Sequence, residues 1–180
     1  MSAADPPQDP RAIAAGALVE LRRRVDAHFE AAVRRTPTAF ACRSGCSSCC
    51  VAFSVAQIEA DRLRGALTRL AATDPALRRR IREQAAEPGR HACALLVDDR
   101  CSVYDERPII CRSHGLPVRA TLDDGSAHTS VCPLNFVGTV APAASTLSLD
   151  AVNAPLSVIG RMWDPDGERV AIAVIATEAG

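Results

Sequence analysis

The chain has 180 residues, 48% of them hydrophobic and 3% aromatic, with 21 basic and 21 acidic side chains and a formal charge of zero. That length suits one domain, and its core must be built mostly from Ala, Leu, Val and Ile, which bury little area each. Balanced charge and scarce stacking aromatics leave no basis for a nucleic-acid surface, and no apolar run is long enough to span a membrane.

All 21 basic residues are arginine, and alanine is abundant, as a GC-rich bacterial coding bias produces. Residues 1–10 hold Asp5, Asp9 and three prolines and read as a disordered tail. No positive region followed by an apolar run marks a signal peptide, so the expected compartment is the reducing cytoplasm. There, eight cysteines point to metal ligands rather than to four disulfides. A metal tying distant segments together would compensate for the small core side chains.

From Arg11 to Arg35, the positions Ile13, Ala17, Leu21, Val25, Phe29 (or His28) and Val33 step by four. This predicts an amphipathic helix with Arg22, Arg23, Arg34 and Arg35 toward solvent. Thr36-Pro37 ends it. The next stretch, Cys42-x3-Cys46-x2-Cys49-Cys50, holds four of the eight cysteines in nine residues. If it coils helically, all four thiols fall on one side, with Gly45 relaxing the backbone. Ser54 and Gln57 have capping-box spacing, predicting a helix over 55–72. Asp74-Pro75 caps a third, arginine-rich helix running to Glu87 and ending at Pro88-Gly89.

Two short apolar runs then flank Asp98-Asp99-Arg100, predicting a hairpin that holds Cys93 near Cys101. Residues 105–112 read as a short helix carrying Cys111, closed by Gly115 and Pro117. A second hairpin, 118–131, turns at Asp123-Asp124-Gly125 and delivers Cys132. Residues 137–147 read as an irregular linker. A helix follows over 149–162, with Pro155 suggesting a later start, and residues 168–176 form a strand or a helix. The predicted fold is mainly α with small β-hairpins. It is a single domain over residues 11–180, with its helices arranged around a cysteine-ligated metal centre and a motif core at 42–132.

Thiolates bind zinc, Cu(I) and the iron of iron–sulfur clusters. Cys46-x2-Cys49 is a recurrent metal-knuckle spacing, and Cys42 and Cys50 make the motif denser than an ordinary zinc finger. Eight cysteines allow two four-thiolate sites, one cluster with spare thiols, or a polynuclear site, and spacing does not choose among them. The candidate ligands are Cys42, Cys46, Cys49, Cys50, Cys93, Cys101, Cys111 and Cys132. Zinc with four thiolates, or an oxidised four-cysteine cubane cluster, carries a net double negative charge. Arg107 and Arg112 are the expected side chains to offset it, with His114 beside them as a support rather than a ligand. His28 and His128 are read as packing or surface residues; His91, two residues from Cys93, and His114, three from Cys111, could replace a thiolate but are read in supporting or solvent roles. The Cys42-x3-Cys46-x2-Cys49 spacing also matches radical S-adenosylmethionine enzymes. Ser48, however, stands where those carry an aromatic, and the β/α alternation of their barrel is missing.

Taken together, Cys42-x3-Cys46-x2-Cys49-Cys50, then Cys93, then Cys101-Ser102-Val103-Tyr104-x2-Arg107-Pro108-x2-Cys111-Arg112, then Cys132, resemble the YkgJ-type cysteine-cluster family. The resemblance covers about residues 42–132 and every cysteine. It implies chelation of zinc or iron, the latter as an ion or in an iron–sulfur cluster, with a metal ion as the only named partner. A similar cysteine cluster occurs in flagellin lysine N-methylases. This chain has no recognisable methyl-donor site and is not assigned that activity. Two other classes of function fit the residues: a cluster-dependent enzyme with an open coordination position, and a metal-stabilised interaction module using the arginine-rich helices.

Overall fold

The first helix is set by its own end signals. In the computed structural model, which describes residues 9–178, Asp9 accepts a hydrogen bond from the Arg11 N–H at 3.0 Å and Pro10 opens the helix. The predicted disordered tail lies, through residue 8, outside the described residues; Asp9 and Pro10 start the fold. The α-helices and strands, in chain order, are α1 (Pro10–Arg35), β1 (Ser54–Val55), α2 (Gln57–Thr73), α3 (Pro75–Ala85), β2 (Leu96–Val97), β3 (Arg100–Cys101), α4 (Ile109–Ser113), β4 (Val118–Thr121), β5 (Ala127–Ser130), β6 (Leu147–Ser148), α5 (Asp150–Trp163), β7 (Val170–Ala171) and α6 (Ile172–Thr177). The chain is mainly α, as predicted, with about 52% in helix.

The buried face of α1 is Ala14, Leu18, Leu21, Val25 and Ala32. It is rotated from the predicted stripe, and Ile13 is exposed. At 3.6 residues per turn, steps of four drift around the helix, so a buried stripe must mix threes and fours. Arg22, expected in solvent, lies on the buried side and reaches Glu106 at 2.9 Å. Arg62 joins the same carboxylate at 2.9 Å and Arg69 at 3.5 Å, tying α1 and α2 to the turn at residues 104–106.

The predicted capping box at Ser54 does not form. Ser54 and Val55 are extended and pair antiparallel with Ala171 and Val170, and α2 begins at Gln57 without a side-chain cap. Val55 is fully buried, and burying it together with a strand pair outweighs one local cap. At α3 the expected Asp74 cap is present, accepting from Leu77 N at 2.9 Å. Arg78 on that helix is buried and donates to the carbonyls of Ala176 and Glu178, closing the end of α6. The exposed arginine face is therefore Arg79, Arg80 and Arg82. Helix α5 runs through Pro155 rather than starting after it. Its apolar side, Val152, Leu156 and Ile159, packs against α1, and that burial offsets the hydrogen bond proline cannot make. The last segment is both of its predicted alternatives, a two-residue strand and then a helix.

Two apolar clusters result. One joins α2, α3, α6 and the β2–β3 hairpin through Leu63, Leu67, Ile81, Leu95 and Ile175. The other joins α1, α4 and α5 through Leu18, Leu21, Ile109, Leu156 and Ile159. Helix α2 serves both, with Ile58 in the second and Leu63 in the first. No helix among the described residues is long and apolar enough to cross a membrane.

Candidate metal centre

The Cys42–Cys50 stretch is not helical. It makes two tight turns, closed by Cys46 N–H to Arg43 O at 3.0 Å and Cys50 N–H to Ser47 O at 2.8 Å, with Gly45 at φ +88°. Glycine takes that left-handed conformation without the strain a Cβ brings. Two backbone brackets anchor the stretch, one at each end.

The second bracket holds Cys50. Cys93 N–H donates to Cys50 O at 2.9 Å, Ala52 N–H to His91 O at 2.9 Å, and Val51 bridges Ala92. Cys93 leads into the β2–β3 hairpin, where Leu96 pairs with Cys101. Asp98 and Asp99 both have positive φ, the mirror-image turn that a two-residue hairpin loop uses. Ser47 Oγ donates to Asp99 Oδ1 at 2.8 Å, docking the cysteine loop on that turn. Cys93 and Cys101 pack against the first apolar cluster. Cys111 lies on α4, whose first N–H, Ile109, donates to the buried carboxylate of Glu59 at 2.8 Å.

The first bracket holds Cys42. Asn135, 2% exposed, donates to Cys42 Sγ at 3.3 Å and to Gly115 O at 2.6 Å, and it accepts from Ala41 N at 2.8 Å. Asn135 N–H also closes a turn on Cys132 O at 2.9 Å, and Phe136 N–H reaches Ala39 O at 2.8 Å. Gly115, at φ +97°, lies so close that a Cβ there would meet Cys42 Sγ at 2.6 Å. Phe29, Phe40 and Phe136 stack in series beside it.

All eight thiols are free. Burial raises the thiols of Cys42, Cys93, Cys101 and Cys111, and Cys111 is pushed up to about 12. Neighbouring cysteine charges add to this. Cys132, Cys46 and Cys49 act on Cys42, whereas Cys93 and Cys101 act on Cys111. The adjacent thiols of Cys49 and Cys50 act on each other, which raises Cys49 and holds Cys50 below the ordinary thiol value, despite burial and the charges of Cys93, Cys101 and Cys111. Metal ligation takes the thiolate and releases the thiol's proton. Among the described residues, no group of three or more Cys, His, Asp or Glu side chains is arranged to hold an ion. The donors themselves, thiols set by backbone hydrogen bonds on short turns, have the chemistry of zinc, iron and iron–sulfur sites.

Arg107 stacks on Tyr104 at 3.6 Å, and its charge eases ionisation of Cys49, Cys101 and Cys111. Arg112 is buried, and its hydrogen bonds run to Asp26 and to the carbonyls of Arg107 and Asp105 rather than to sulfur. His114 packs its ring on Phe53 at 5.1 Å, and burial lowers it, favouring the neutral imidazole. Glu59 and Asn135 are positioning residues that the sequence reading missed. Glu59 looks like any charge on a solvated helix face, and Asn135 carries no motif beyond standing three residues after Cys132.

A family model described as CxxCxxCC, a putative zinc- or iron-chelating domain, matches residues 41–133, just over half of the chain. The chain belongs to this family. The CxxCxxCC match spans every cysteine and the bracket at Cys50, whereas Asn135, which holds Cys42, lies just beyond it. No curated protein and no solved structure matches the chain.

Proposed function

We propose that the chain binds zinc or iron through Cys42, Cys46, Cys49, Cys50, Cys93, Cys101, Cys111 and Cys132, in the reducing cytoplasm. The metal staples the cysteine loops to the helices. The observation that carries this is the pair of brackets. Cys50 and Cys93, about 40 residues apart in sequence, and Cys42 and Asn135, 93 apart, are pinned together by backbone and side-chain hydrogen bonds, and no disulfide uses the thiols. Bound metal supplies a charge-neutralising cross-link to thiolates. The chain's residues do the rest: Asn135 orients Cys42, Glu59 fixes the start of α4 below Cys111, and Arg107 offsets the charge of the sulfurs. Iron is taken either as an ion or in an iron–sulfur cluster.

Anaerobic purification followed by elemental analysis and a visible spectrum tests this. Stoichiometric zinc in a colourless protein, or iron with broad absorption near ~400 nm as iron–sulfur clusters give, is the expected result. A folded, metal-free protein whose thiols stay unmetallated when zinc or ferrous iron is added overturns it.

A further inference from the structure

We infer that the cleft between α1, α2 and α4 binds a phosphate group, either as the free anion or as a small phosphomonoester. Arg22, Arg62 and Arg112, one from each helix, line it. The inference is separate from metal chelation and uses none of the cysteines.

Shared acceptors join the three side chains in a row. Arg22 and Arg62 both donate to Oε2 of Glu106 at 2.9 Å. Arg22 and Arg112 both donate to the backbone carbonyl of Asp105. Three helices therefore set their guanidiniums side by side around the turn at residues 104–106. Arg22 and Arg112 are 8% and 9% exposed, so their ordering is complete before a ligand arrives. A guanidinium carries five N–H donors. Among the described residues Arg22 and Arg62 each make two hydrogen bonds and Arg112 makes three, so all three keep donors for a further acceptor.

The row is short of negative charge. Glu106 faces Arg22 and Arg62 at 2.9 Å and Arg69 at 3.5 Å, and none of the three has another carboxylate partner among the described residues. One carboxylate thus serves three cations. Asp26 and Glu30 also line the cleft, but Arg112 takes the first and Arg34 lies 3.7 Å from the second. They confine a doubly charged group to the Arg22–Arg62 end. Cations held partly out of water attract such a group more strongly than exposed ones do, and the planar guanidinium fork matches its oxygens. The cleft holds about 570 Å³, more than a phosphate group fills. Val19 and Ala27 on α1 give it apolar surface for the carbon body of an ester.

Isothermal titration of the full-length chain with inorganic phosphate and with glycerol phosphate, at fixed ionic strength, tests this. Saturable binding of one equivalent is expected. Tighter binding of the ester assigns the organic ligand, and binding of inorganic phosphate alone assigns the free anion. Arg62→Gln is expected to weaken binding about tenfold, as loss of one charged hydrogen bond does. Glu106→Gln keeps an acceptor oxygen but removes the competing charge, and is expected to tighten it. Arg79→Gln, on the exposed face of α3, should leave it unchanged. Arg62 also holds Glu106, so circular dichroism and metal content are read for each variant. Arg23→Gln provides a second variant: Arg23 lines the cleft and pairs only with exposed Glu20, and its loss should weaken binding with the fold intact. A wild type that binds neither probe overturns the inference. So does binding that Arg62→Gln and Arg23→Gln leave intact, that Arg79→Gln weakens equally, or that follows metal content instead of these arginines.

Discussion

Cys93 and Cys101 lie at a hairpin packed on the α2–α3–α6 cluster, and Cys111 lies on a helix pinned by a buried glutamate. Cys42, Cys46 and Cys132 lie on turns and loops, and Cys42 is exposed apart from its sulfur, which lies against Gly115 and Asn135. The thiols are the same, but their foundations differ. Around Cys93, Cys101 and Cys111 the protein itself supplies most of the order. Around Cys42 the order comes from Asn135, Gly115 and three phenylalanines.

The largest separation between the two regions should come from removing one ligand in each. Cys111→Ser is expected to lose metal and helical signal together, because structural metal contributes on the order of 10 kcal/mol to small metal-stapled folds. Cys46→Ser is expected to lose metal with its helical signal near wild type. Circular dichroism with elemental analysis reads both, and equal helix loss in the two variants would erase the distinction. Gly115→Ala comes next. It adds left-handed strain of about 1–2 kcal/mol and drives a methyl against Cys42 Sγ. Bound metal should fall, and unchanged metal content would remove Cys42 from the ligands.

Two smaller effects sharpen the comparison through groups that bind no metal. Burial raises the Glu106 carboxyl, and the hydrogen bonds from Arg22 and Arg62 more than reverse this, leaving it below the ordinary carboxylate range. A lowered carboxylate stabilises the fold above its unfolded value, and that contribution disappears as pH falls through its folded value. Glu106→Gln is therefore expected to cost about 1–3 kcal/mol at neutral pH. The difference from wild type should shrink in acid, with metal content unchanged. A constant difference across pH would assign the effect to packing. Glu59→Ala leaves the Ile109 N–H without its partner, for about 1–2 kcal/mol, and should weaken cobalt binding. Glu59→Gln keeps an acceptor oxygen and should restore it. Equal binding in both variants would remove Glu59 as a positioning residue for Cys111.

Local signals in the sequence predicted much of the fold correctly. Asp74-Pro75 capped a helix, Asp98-Asp99 turned a hairpin and Thr36-Pro37 closed α1, because caps and turns are decided within four residues. Where a distant partner competed, the local signal lost. Ser54 had the spacing of a capping box, yet β7 drew it into a strand. Arg22 sat among solvent-facing arginines, yet Glu106 pulled it inward. Pro155 argued for a late start to α5, yet packing on α1 carried the helix through it.

The sequence by itself determined the chemistry: eight thiols, their spacing, the mainly helical class and membership of the CxxCxxCC family. Ligand identity depends on residue type and order, which the chain states directly. Only the tertiary structure decided which thiols are neighbours and what holds them. Cys50 meets Cys93 through backbone hydrogen bonds that carry no side-chain signature. Cys42 meets the Cys132 turn through an asparagine whose role exists only once Ala41 and Gly115 are beside it. Contacts between segments far apart in sequence arise from packing, and packing is settled by the whole chain at once.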